Sequence, residues 1–209
     1  MKRRGWFITA TDTGVGKTYF SCALVRALRQ GGIKAGVLKP VETGCSSIGA
    51  GLVPADALKL KAASRTSAEL DLINPYRFSQ PISPSIAEKI SKRRIDFRKI
   101  GACFEKISAS HDVVVVEGAG GILSPISKDR TNAQLARYLK LPVVIVVPDR
   151  LGAINQALMA VNAARVHGLE VSCVILNSRK GRAKADSRVG LDRAEIEKFG
   201  RVRVVAIGK

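Results

Sequence analysis

The stretch "ITATDTGVGKT" (8–18) runs from a strand-like segment through two glycines to a lysine and a threonine. Residues of these types in this order suit a phosphate-binding loop. Gly14 and Gly16 let backbone N–H groups turn towards an anion, and the start of the following helix adds positive potential. Lys17 can then reach the outer phosphates while Thr18 offers a hydroxyl to Mg2+. The common G-x4-G-K-[ST] pattern would have glycine at position 11, where this chain has Thr11. Such a site needs a second metal anchor, an acid at the end of a buried strand. Glu117, closing "DVVVVE" ahead of "GAGG", and Asp149, closing "LPVVIVVPD", both qualify. The glycines behind Glu117, which let backbone approach a ligand, favour it over its rival. Lys39, in "LKPVETG" (38–44), ends a second strand-like segment on the edge where open α/β sheets bind ligands. If it converged with Lys17, the pair would stabilise charge spread over a transferring phosphoryl group.

To hold these groups the chain offers alternating strand-like and helix-like segments. Val- and Ile-rich runs at 5–10, 33–40, 112–118, 141–149, 169–177 and 201–207 read as strands. Their continuous apolar character suits burial on both faces. Helical patterns lie at 17–30, 83–92, 96–110, 131–140, 152–168 and 191–200. The alternation predicts an α/β fold, a parallel sheet flanked by helices on both faces. Ser83-Pro84 and Thr131 read as helix starts, and Gly31-Gly32, Gly168 and Gly200 as helix stops. The region 41–55 reads as a long functional loop.

A length of 209 residues with 46% hydrophobic residues allows one sizeable core, so a single domain over 1–209 is expected. The basic start, Met1 to Arg4, is followed by too short an apolar run for a signal peptide or a membrane span, so a soluble cytoplasmic protein is expected. Cys22, Cys45, Cys103 and Cys173 form no CxxC pair, and His111 and His167 lack metal-ligand spacing, which points to reduced core thiols. The net charge of +18 would attract anions, yet one Trp, three Tyr and six Phe leave little for base stacking. The clusters "SKRR" (91–94) and "SRKGRAKADSR" (178–188) therefore read as solvated basic surface, with no nucleic acid or membrane partner expected.

Taken in order, "TDTGVGKT", "KPVETG", "PADAL", "SPSIAE", "VEGAGG" and "LGAINQALM" resemble the dethiobiotin synthetases, over roughly residues 5 to 180. The combination is more specific than any one motif. The resemblance implies a P-loop NTPase-like three-layer sandwich and an ATP- and Mg2+-dependent ligase acting on 7,8-diaminopelargonic acid and CO2 or bicarbonate, with ATP as co-substrate. It places Asp12, Thr13, Gly14, Val15, Gly16, Lys17, Thr18, Tyr19, Glu117 and Asn177 at the nucleotide, and Thr18, Asp56 and Glu117 at the metal. Lys17, Lys39 and Thr13 would be catalytic. Thr13, Lys39, Thr43, Ser83, Gly120, Gly152, Ala153, Ile154 and Asn155 would bind the substrate, the last four from the neighbouring subunit of a homodimer.

The chain departs from the family pattern at Ala10, where a glycine is common, at Thr43, often serine, and after Asn177, where the sequence turns basic. It closes at "VVAIGK", before a proline-containing segment usual in the family, from which weak base discrimination is expected. Replacing Lys17 or Lys39 by Ala is expected to cut turnover with the fold intact. A partition or site-selection ATPase that binds DNA or membrane is the competing reading. Such switches carry an additional lysine early in the loop, where this chain reads "TATDTG". The amidotransferase-linked synthetases of cobalamin assembly share similar loops but are much longer chains with a glutaminase domain.

Overall fold

The computed structural model describes residues 5–49, 51–178 and 188–208. The basic segment 179–187 and the basic start at 1–4 lie outside the described residues. In chain order the elements are β1 (Gly5–Ala10), α1 (Lys17–Gln30), β2 (Ala35–Leu38), β3 (Val41–Glu42), β4 (Ser46–Ile48), β5 (Gly51–Val53), α2 (Ala55–Ser64), α3 (Leu70–Ile73), β6 (Tyr76–Arg77), α4 (Pro84–Ser91), α5 (Phe97–Ser108), β7 (Val113–Glu117), α6 (Asn132–Tyr138), β8 (Val143–Pro148), α7 (Ala153–Val166), β9 (Val171–Ser178), α8 (Arg188–Gly200) and β10 (Val204–Gly208).

Six strands form one sheet in the order β10, β9, β8, β1, β7, β2, every neighbouring pair parallel. The apolar runs are continuous because successive residues enter different layers. In β7, Val115 packs with Cys22 and Val25 of α1 and Ala57, Leu60 and Ala63 of α2. Val114 and Val116 instead join Phe104 of α5, Leu135 of α6, Ala157 of α7 and Ile196 of α8. This is the expected three-layer α/β arrangement, with α1 and α2 on one face and α5 to α8 on the other. Among the described residues no helix is long and apolar enough to cross a membrane.

The expected helix starts hold. Pro84 opens α4 behind Ser83, and Thr131 caps α6 in a reciprocal capping box with Gln134. Gly200 behaves differently from expectation. It is the last residue of α8, and the left-handed residue is Arg201 (φ 43°). Close packing accounts for the glycine, since a Cβ there would meet Val202 Cγ1 at 3.1 Å and Leu158 Cδ2 at 3.2 Å. The region read as a loop, 41–55, is instead divided among β3, the β4–β5 hairpin and the start of α2. β3 pairs in parallel with β6, bringing Glu42 opposite Arg77.

Candidate functional site

Sheet register brings the reactive side chains together. β1 sets Ile8 opposite Glu117, and β2 sets Leu38 opposite Val116, so Lys39 and Glu117 are the next residues along the neighbouring β2 and β7 segments. Strand alternation sends both to the face of Val37 and Val115, where α1 and α2 begin. Lys39 Nζ donates to Glu117 Oε1 at 2.6 Å and lies 3.6 Å from Asp56 Oδ2. Thr18, in the first turn of α1, donates its hydroxyl to the same Glu117 oxygen at 2.8 Å. Glu117 is 0% and Lys39 4% exposed, so this ion pair is shielded from water. Burial opposes the Lys39 ammonium, but the Glu117 and Asp56 carboxylates and the hydrogen bond to Glu117 outweigh it and hold its pKa above the usual lysine value.

The loop before α1 is braced from within and from β9. Lys17 Nζ donates to the Asp12 carbonyl at 3.0 Å, and the Thr13 N–H to Asp12 Oδ1 at 2.6 Å. Asn177 Nδ2 donates to the Val15 carbonyl at 2.8 Å. At Gly16 the backbone is left-handed (φ 103°), and a Cβ would stand 2.1 Å from Asn177 Nδ2. Only glycine lets the loop pass this close to β9.

These groups surround a cavity of about 670 Å3. Its lining includes Thr13, Gly14, Gly16, Lys17, Thr18, Tyr19, Lys39, Glu42, Thr43, Asp56, Ser83, Glu117, Gly120 and Ser124. Two lysines face three carboxylates across it. Glu117 Oε2 is buried and, among the described residues, has no hydrogen-bond partner. A buried orphan carboxylate oxygen beside a hydroxyl (Thr18) and a half-exposed carboxylate (Asp56) is a hard oxygen donor set that fits Mg2+. Among the described residues no group of three or more His, Cys, Asp or Glu could hold a metal alone.

Lys17 supplies a pH test. Burial, followed by repulsion from Lys39, lowers its pKa to about 8. A bound phosphate favours the ammonium, so affinity for metal-free ADP should fall roughly eightfold between pH 7.5 and 9 as Lys17 loses its proton. Calorimetry over that range should show proton uptake on binding. The same slope in Lys17→Met would assign the titration elsewhere.

The AAA domain family matches residues 4–207. The ATP-dependent dethiobiotin synthetase BioD of Anaeromyxobacter sp. (strain K) is 39% identical over 204 residues, covering 98% of this chain and 89% of the relative. That of Methanococcus vannielii is 36% identical over 201 residues, 96% of this chain and 91% of the relative. The chain belongs to the dethiobiotin synthetase family. Among solved structures, the septum site-determining protein MinD of Pyrococcus horikoshii, complexed with Mg-ADP, superposes with a TM-score of 0.59 at 16% identity, covering 99% of this chain and 81% of that one. A ParA family ATPase from Chlorobium tepidum gives 0.54 at 15% identity, covering 100% and 85%. At such identities the likeness is one of fold, that of P-loop NTPases. The enzyme that this family membership implies is a ligase, as the ATP-dependent dethiobiotin synthetases are.

Most residues expected at a dethiobiotin synthetase site meet in the one cavity, including Ser83, whose hydroxyl donates to the Pro125 carbonyl across it at 3.3 Å. Asp12, Val15 and Asn177 are not among its lining residues and brace the loop instead. Asp149, the rival of Glu117, is also not among them and accepts a hydrogen bond from Ser178. Gly152, Ala153, Ile154 and Asn155 stand apart at the start of α7, beside Leu151, which is 92% exposed. Two side chains that sequence reasoning missed matter to the site. Glu42 lines the cavity, and Asn132 Nδ2 donates to the Ala119 and Gly121 carbonyls at 2.6 and 2.8 Å, fixing the glycine loop behind Glu117. Asn132 is the first residue of a helix already capped by Thr131, a position with no sequence signal for an inward role.

Proposed function

We propose that this chain carboxylates 7,8-diaminopelargonic acid with CO2 and closes the ureido ring to give dethiobiotin, consuming ATP with Mg2+. The observation that carries the reading is Lys39, a cation shielded from water beside Glu117 and Thr18 in a cavity that also receives Lys17. One substrate amine adds to CO2 and loses a proton, forming a carbamate. A carbamate oxygen attacks the γ-phosphorus, ADP departs, and a carbamic-phosphoric anhydride remains. The second amine then attacks the anhydride carbonyl, inorganic phosphate leaves with the electron pair, the amine gives up a proton to phosphate or solvent, and the ring closes.

The protein's part is to position and to stabilise charge. Lys17 holds the outer phosphates, and Lys39 faces the charge that gathers between carbamate and γ-phosphate. Thr18, Asp56 and Glu117 would hold Mg2+, which neutralises phosphate charge when bound. Thr13, Thr43, Ser83 and Gly120 orient the substrate, and Asn177, whose amide braces the loop at Val15, would contact the base. The N-terminus of α7, Gly152 to Asn155, binds the distal carboxylate of a substrate in a neighbouring subunit, because free N–H groups at a helix start suit a carboxylate. The exposed Leu151 and Met159 flanking it support an interface there.

The test mixes purified protein with diaminopelargonate, 13C-bicarbonate, Mg2+ and ATP and seeks labelled dethiobiotin by mass. No product with any nucleoside triphosphate would sink the reading. Sedimentation should show a dimer at assay concentration, and an active monomer would refute the shared site.

A further inference from the structure

We propose that Glu42 is a positioning residue that ties the N-terminus of α2 to the segment carrying Lys39 and thereby sets where the Asp56 carboxylate stands. The inference rests on the reading of Asp56 as a Mg2+ ligand. Helix α2 starts behind Pro54, whose side chain has no acceptor for the helix's first N–H groups. Glu42 supplies two acceptors from fourteen and fifteen residues upstream of the groups it caps. Its Oε1 accepts from the Asp56 N–H at 2.8 Å and its Oε2 from the Ala57 N–H at 2.9 Å.

The anchor is itself held. Glu42 pairs with Arg77 in the β3–β6 ladder, and its carbonyl accepts from the Phe78 N–H at 2.9 Å. Lys39, three residues earlier, is fixed by its N–H to the Ile73 carbonyl at 2.8 Å and by Asn74 Nδ2 to its own carbonyl at 2.6 Å. Lys39 and Glu42 thus belong to one braced segment. Helix α2 buries Ala57, Leu60 and Ala63 against Cys22 and Val25 of α1 and Val37 of β2, contacts that are apolar and lie along its flank. The Glu42 carboxylate adds to this packing a polar tie at the end of the helix that carries Asp56, 3.6 Å from Lys39. Groups that orient a metal ligand typically change metal affinity by about 10- to 100-fold when lost.

Affinity for a non-hydrolysable ATP analogue, measured by calorimetry with and without Mg2+, tests this in the wild type, Glu42→Gln and the double variant Glu42→Ala/Pro54→Asp. Aspartate at 54 caps the same two N–H groups from within α2, restoring the helix end without the tie to β3. Both variants should bind the metal-free analogue as the wild type does, because Lys17 and its loop are untouched. The affinity gained on adding Mg2+ should shrink by about tenfold in each. The double variant should melt near the wild-type temperature, which separates the tie from simple helix capping. A full Mg2+ gain in either variant overturns the inference and leaves the proposed function standing. Failure of the wild type to bind any nucleotide overturns that function, and the inference with it.

Discussion

Replacing Lys39 by Ala is expected to lower turnover by a hundredfold or more and to destabilise the fold in the same stroke. The kinetic loss follows from the proposed role of Lys39 as a fixed cation facing charge that grows in the transition state, an effect worth about 3 to 4 kcal/mol. The loss of stability follows from burial. Glu117 is fully buried and keeps only the Thr18 hydroxyl and more distant charges once its partner at 2.6 Å is gone. Removing one member of a buried pair typically costs about 3 to 5 kcal/mol, because the other charge is left uncompensated. From sequence alone the fold was expected to survive this substitution intact, and the ion pair is the reason to revise that. The two effects can be separated. The double variant Lys39→Met/Glu117→Gln removes both charges at similar volume, so urea unfolding should recover most of the lost stability while turnover stays at or below the Lys39→Ala level. A Lys39→Ala enzyme with near-normal turnover would remove Lys39 from the mechanism.

On its proposed role as a Mg2+ ligand, Glu117→Gln should cut turnover about a hundredfold or more and raise the Mg2+ concentration for half-maximal rate by at least about tenfold, since a metal ligand matters no less than the groups that orient it. The same change touches Lys39, whose ammonium burial disfavours and Glu117 and Asp56 hold in place. Without Glu117 its pKa falls, and its charge becomes less dependable at alkaline pH. Asp149→Asn is the control. Asp149 accepts from Ser178 and is not among the cavity lining, so turnover and metal requirement should stay within about twofold. A Mg2+ titration in which Asp149→Asn is the damaged variant would reverse the assignment.

Much of this was legible in the chain. The order strand, glycine turn, lysine, threonine, helix is local, and local geometry fixes what such a segment can bind, so residues 8–18 announced an anion site. The apolar runs announced a doubly covered parallel sheet because neither face of those strands offers water a polar side. The start of α2 was not legible. Its cap comes from Glu42 rather than from a Ser, Thr, Asp or Asn beside it, so the usual helix-start signal is missing and the region blurred into a loop.

The choice between Glu117 and Asp149 shows where sequence stops. Both are acids closing buried strands, and the glycine run behind Glu117 favours it but does not show which acid meets the lysines. Strand order and register do, because they decide which strand end lies beside Lys39 and above the first turn of α1. Lys39 and Glu117 are 78 residues apart, Thr18 and Glu117 are 99 apart, and Asn177 meets Val15 across 162. The sequence by itself determined the loop, the layers and the family, all of which rest on residues close along the chain or on a recurrent pattern. Tertiary structure showed that Glu117 rather than Asp149 joins the lysines, that the Lys39 ion pair is buried, and that Glu42 holds the helix bearing Asp56. Each of those depends on burial and long-range pairing, which arise only when distant segments pack and exclude water.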